Sequence, residues 1–169
     1  MTLKIPIGII FMKNEPLAKE QIPSAIGEPL SGLDYLKAIA EGEIPYPPLL
    51  ETLHFRAVSI QKEEAIFEFQ PQVFHYNSIG TVHGGVISAL LDTAMGASLH
   101  TMLPAHSSYT TLELKTNFLK AVTLESGVVR AVEKIIHKGK TTASIQAQLL
   151  NNKGKVFAHG VSTCLIINL

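Results

Sequence analysis

The residues best able to do chemistry fall in one stretch, Asn77-Ser78-Ile79-Gly80-Thr81-Val82-His83-Gly84-Gly85-Val86-Ile87-Ser88-Ala89-Leu90-Leu91-Asp92. Gly84 and Gly85 open an apolar run that reads as a helix. Glycine is poor helix material but permits close approach of backbone, and the N–H groups of a first turn have no partner within the helix. Such an end suits a carbonyl oxygen that becomes negative during reaction. The same pair also serves simply to allow a tight loop-to-helix turn. Asp92 sharpens the pattern. On a helical wheel its face carries Gly85, Ser88, Ala89 and Gly96, while Val86, Ile87, Leu90, Ala94 and Ala97 lie opposite. The large side chains therefore face a sheet. The carboxylate sits in a strip of small residues with room for a neighbouring helix, a ligand or a water. A buried carboxylate without a cation nearby in sequence is costly unless it has a use, in catalysis or as a hydrogen-bonded group across an interface.

Other chemistries leave no trace. There is no Gly-x-Ser-x-Gly, His-Glu-x-x-His, Walker or Gly-x-Gly-x-x-Gly pattern. His54, His75, His83, His100, His106, His137 and His159 lack ligand spacing, so no metal site is expected. The one cysteine, Cys164, lies among Val161, Leu165 and Ile166 and reads as a small core residue.

The elements that must hold this stretch are legible around it. Residues 1 to about 30 contain Pro6, Pro16, Pro23 and Pro29 and read as a tail or wrapping arm. A short helix follows, capped by Ser31 with Asp34 three residues on, ended by Gly42 and closed off by Pro45, Pro47 and Pro48. Alternation predicts strands at 54–60 and 63–70, where Ala65, Phe67 and Phe69 share a face. After the long apolar helix, Leu112, Leu114, Thr116 and Phe118 alternate with Thr111, Glu113, Lys115 and Asn117. Further strands are predicted at 128–136, 143–149 and 156–167, with a hairpin turn at Asn151-Asn152-Lys153-Gly154. Antiparallel strands with one apolar helix make an α+β fold in which the helix covers one sheet face.

The chain has 169 residues, 46% hydrophobic and 17% charged, with 14 basic against 14 acidic side chains. That is enough apolar material for one core. A net charge of zero leaves no field to gather polyanions, so no nucleic-acid partner is expected. Pro6 breaks the short apolar start, which argues against a signal peptide. The run 84–103 is long enough to span a bilayer but carries Asp92 and a polar face, so a buried helix rather than a membrane segment is expected. A cytoplasmic protein with a reduced cysteine follows from these features.

Asn77, the His83-Gly84-Gly85 triplet, Asp92-Thr93-Ala94 and Thr111-Leu112-Glu113-Leu114 together resemble the signature of the hotdog-fold acyl-CoA thioesterases, in the phenylacetate-pathway, PaaI-like branch. The resemblance runs from about Pro48 to Ile167. It implies a hotdog domain over 48–169, in which an antiparallel sheet wraps the central helix, preceded by an N-terminal extension with a short helix over 1–47. It also implies a homodimer in which two sheets join edge to edge, with a dimer of dimers (a homotetramer) as a further step. Asp92 matches the carboxylate that acts as general base or nucleophile. The Gly84 N–H matches the group that polarises the thioester carbonyl, Asn77 the asparagine that holds the carbonyl or water, and Thr111 a hydroxyl that places the water. His83 and Gly85 are expected to shape the substrate-binding loop. Lys138 and Lys140 are possible phosphate partners or a solvated hairpin end. Leu99, Met102 and Phe74 are expected along the acyl pocket. The substrate implied is an acyl-CoA, with no separate cofactor. The alternatives are a carrier-linked hydroxyacyl dehydratase, for which no His-centred motif is visible, and a non-catalytic acyl-CoA-binding module.

Overall fold

The structure is a computed structural model that describes residues 29–168; the expected arm over residues 1 to about 30 lies almost entirely outside them. Helix α1, Gly32–Glu41, begins where Ser31 Oγ accepts the Asp34 N–H at 3.2 Å and ends at Gly42, whose φ of 81° suits glycine. Helix α2, Pro48–Thr52, starts on a proline, which has no N–H to lose at that position. Strands β1, Arg56–Gln61, and β2, Glu64–Phe69, follow, and then the long helix α3, Gly84–His100. Strands β3, Ser107–Phe118, β4, Val129–Lys138, β5, Thr142–Asn151, and β6, Val156–Asn168, complete the chain.

All pairings are antiparallel, in the order β1-β2-β4-β5-β6-β3. The last strand added, β3, occupies one edge and pairs with β6 from Ser107↔Asn168 to Phe118↔Ala158. Helix α3 lies against the inner face, where Ala65, Phe67, Ala131, Ile145, Leu149 and Cys164 are buried with Leu90, Leu91, Met95 and Leu99 of the helix. A single six-stranded sheet wrapped on one apolar helix is the hotdog arrangement. Among the described residues no helix is long and apolar enough to cross a membrane.

One register detail departs from the expected alternation. In β3 the pairing steps from Thr111↔Cys164 to Glu113↔Thr163, leaving Leu112 as an extra residue of a β-bulge, 58% exposed. Strict alternation places Leu112 with Leu114 and Thr116, and Thr111 on the opposite face. The bulge reverses the parity of everything before it. Thr111 and Leu114 therefore both face α3.

Candidate active site

The loop before α3 is organised by Asn77. Its Oδ1 accepts the N–H groups of Ile79 and Thr81 at 3.0 and 3.1 Å, and its Nδ2 donates to Thr81 Oγ1 at 3.0 Å. Gly80, with φ of 82°, completes the turn. The loop returns to His83, the N-cap of α3, whose Nδ1 accepts the Gly85 N–H at 2.8 Å. The His83 carbonyl accepts the N–H groups of Val86 and Ile87. The first-turn amide left to meet an outside acceptor is therefore that of Gly84.

Both glycines lie close against side chains of the same chain. A Cβ on Gly84 would stand 3.0 Å from Phe118 Cζ, and one on Gly85 would stand 2.9 Å from His83 Nδ1. The Gly84 end opens on a cavity of about 360 Å³ lined by Asn77, Thr81, Ile87, Phe118 and Val122 among others.

The strip of small residues on α3 faces the edge strand of its own chain. Phe118 meets Gly84, Thr116 Oγ1 accepts from Ser88 Oγ at 3.3 Å, and Tyr109 lies against Gly96, where a Cβ would come within 2.4 Å of the ring. Between them the Thr111 hydroxyl donates to Asp92 Oδ1 at 2.9 Å. Oδ2 stays available, and Asp92 is only half-buried, at the wall of a second cavity of about 290 Å³. Burial raises the pKa of Tyr109, and the Asp92 charge adds to the rise. Burial likewise pushes the Cys164 thiol up, which keeps it neutral. Cys164 is fully buried, as a core residue should be.

The structure brings Asp92 and Thr111 together, and Asn77, His83, Gly84 and Gly85 together, but it does not join the two groups within one chain. Gly84 and Asp92 are eight residues apart on α3, about 12 Å of rise. Lys138 pairs with Ala143, which pairs with Cys164, which pairs with Thr111. It thus occupies the Thr111 row three strands away, about 14 Å at normal strand spacing. Lys140 is exposed at the following turn. Neither lysine approaches the Gly84 end, which lies at the other end of the sheet.

The expected acyl-pocket residues need correction. Leu99 is fully buried in the core, and the Phe74 ring lies tilted at 57° against that of His75, with centroids 4.1 Å apart. The cavity beside Asp92 is walled instead by Tyr35, Ile39, Leu49, Ala97, His100 and Tyr109. The signal for His100 was present in the sequence, since Gly84, Ser88, Asp92, Gly96 and His100 form one series spaced by four. The α1 contribution had no local signal. Among the described residues no cluster of three or more His, Cys, Asp or Glu could hold a metal.

A family model described as the thioesterase superfamily matches residues 79–158. The chain is 25% identical over 118 residues to the 1,4-dihydroxy-2-naphthoyl-CoA hydrolase of Listeria monocytogenes, covering 70% of this chain and 93% of that protein. Among solved structures it is similar to a phenylacetic acid degradation-related protein from Ralstonia eutropha, with a TM-score of 0.68, 26% identity, and coverage of 78% and 98% of the two chains. It shares its fold with the PaaI protein of the E. coli phenylacetic acid degradation operon, with a TM-score of 0.68, 20% identity, and coverage of 82% and 96%.

Proposed function

We propose, from the match of residues 79–158 to the thioesterase superfamily model, that the chain is a thioester hydrolase that cleaves an acyl-CoA to the free acid and CoA. The observation that carries this reading is the Asp92 carboxylate, oriented by Thr111 at one oxygen and open to a cavity at the other. Asp92 takes a proton from water as the water oxygen bonds to the thioester carbon. The carbonyl oxygen becomes negative and is met by the Gly84 N–H, as a preorganised donor should meet it. The C–S bond then breaks, and the proton passes to the leaving thiolate to give CoA and the carboxylic acid. No metal or separate cofactor enters this chemistry.

Base and oxyanion donor must both lie within contact distance of the reacting atoms, and 12 Å along one helix forbids that. Two copies related by a two-fold axis solve the problem, with Asp92 of one against Gly84 and Asn77 of the other. The long edge strand β3 offers unpaired backbone groups for such a join, as an open sheet edge does. Asn77 then acts by holding the loop that presents the Gly84 N–H. Dimers pairing into tetramers is a further step of the same kind. The reading places the enzyme in the cytoplasm, where its cysteine stays reduced.

Release of free CoA thiol from acyl-CoA substrates tests the reading. Asp92→Asn keeps the shape and removes the base, so kcat should fall by about 10² or more with little change in KM. Near wild-type turnover by the purified variant would remove Asp92 from the mechanism. Hydrolysis in ¹⁸O-water at single turnover separates base from nucleophile, because direct water attack puts the label in the product acid at once.

A further inference from the structure

One extra residue in β3 is what puts Thr111 on the inner face, and its place in the strand therefore matters to Asp92. Strand β3 lies at the sheet edge, so within the chain β6 is the strand that pairs with it. A bulge at an edge has no second strand to fix its position. With the extra residue on the Ser107 side of Thr111 instead of at Leu112, the parity reverses and the hydroxyl turns to the outer face.

Ser162 of β6 is placed to hold the bulge. It is 2% exposed, on the face of β6 where Ala158, Cys164 and Ile166 are also buried. A hydroxyl in such a setting is costly unless it is hydrogen-bonded. Ser162 pairs with Leu114, yet its Oγ donates to the carbonyl oxygen of Glu113 at 3.0 Å. Glu113 is the residue at which pairing resumes after the register shift.

On the other side of the bulge lies Cys164, the partner of Thr111 in the ladder. Its Sγ is 4.0 Å from Thr111 Oγ1 and 3.6 Å from Ser162 Oγ. The Thr111 proton is engaged with Asp92 and the Ser162 proton with Glu113. The proton left to share among the three is that of the thiol, which burial keeps neutral. Cys164 thus bridges two hydroxyls, one bonded to the carboxylate before the bulge and one bonded to the backbone after it.

We infer that Ser162 is a positioning residue for the hydrolysis: by holding the Glu113 carbonyl it fixes the bulge at Leu112 and keeps the Thr111 hydroxyl on Asp92. The inference rests on the thioesterase reading above and adds to it a residue that acts on Asp92 through Thr111.

The test uses the purified full chain with acetyl-, octanoyl- and benzoyl-CoA. Ser162→Ala should lower kcat about fivefold with KM nearly constant, and Ser162→Cys, which keeps a weak donor of similar size, should lie between that variant and wild type. In Thr111→Val no hydroxyl is left to position, so adding Ser162→Ala should change kcat by less than about twofold. A double variant that shows the product of the two single losses, or a Ser162→Ala kcat equal to wild type, overturns the inference. A second readout needs no turnover. Amide hydrogen exchange over residues 110–114 should be faster in Ser162→Ala than in wild type, while α3 and β5 keep their rates. Unchanged rates over 110–114, or faster exchange throughout the sheet, also overturn it. No CoA release by wild type from any of the three thioesters overturns the thioesterase reading itself, and the exchange rates then still decide whether Ser162 holds the bulge.

Discussion

Thr111 is the residue that decides which way Asp92 points. Its hydroxyl donates to Oδ1 at 2.9 Å, so in the proposed mechanism the other carboxylate oxygen is the one that takes the proton of water. Thr111→Val keeps the branched shape and removes the donor. The expected result is a fall in kcat of about tenfold with KM nearly constant, and Thr111→Ser should recover most of the loss. Steady-state kinetics on the three proteins decides it; equal kcat in wild type and valine variant would leave the hydroxyl a packing detail. At this scale the sequence was informative about Asp92 as a carboxylate among small residues, while the His83 cap on the Gly85 N–H was not foreseen. It was misleading about Thr111. Strict alternation put that side chain on the far face of the sheet, and only the extra residue Leu112 brings it round.

Among the elements, β4 holds the group with the most unfavourable setting. Its pairing with β2 runs from Val129↔Phe69 only to Ala131↔Phe67, and two residues later Glu133 fills the gap. Its Oε1 accepts the Ala65 N–H at 2.6 Å, a bond that a strand neighbour supplies elsewhere, while Oε2 is buried with no partner among the described residues. Burial raises the pKa of this carboxyl; the Ala65 N–H opposes the rise, and the nearby Glu64 charge adds to it. The folded state therefore prefers the neutral acid, a preference that is fully present below the unfolded pKa and lost as pH rises through the folded one. Glu133→Gln removes the charge and keeps the acceptor. Its Tm relative to wild type should climb between pH 4 and pH 7.5, which differential scanning calorimetry at the two pH values would show. A constant difference would mean that the carboxylate is solvated. Nothing in the chain pattern announced this site, because Glu133 sits at an ordinary inward position of a strand.

For the whole molecule, the order of elements and the sheet-on-helix arrangement were legible from periodicity and turn residues. The placement of α1 against α3 was not. That contact depends on a glycine, Gly32, where a Cβ would come within 1.9 Å of the His100 carbonyl oxygen, and on the Gly32 N–H bond to Leu103 O. Two chains per site is the prediction that belongs to this scale. Inactive Asp92→Ala mixed and refolded with inactive Asn77→Ala should regain about a quarter of wild-type activity, since random pairing makes about half the dimers mixed and each mixed dimer has one intact site of two. Verified mixed dimers that stay inactive would put the whole site within one chain.

The roof of the Asp92 cavity comes from residues 35–50, whereas the carboxylate and its hydroxyl come from α3 and β3. Selection can therefore act on the two separately. Substitutions at Leu36, Ile39 or Leu49 reshape the cavity without touching Asp92 or Thr111, so under the proposed function a lineage can change what the cavity admits through catalytically competent intermediates. A library confined to those three positions would sample new preferences on an unchanged reaction.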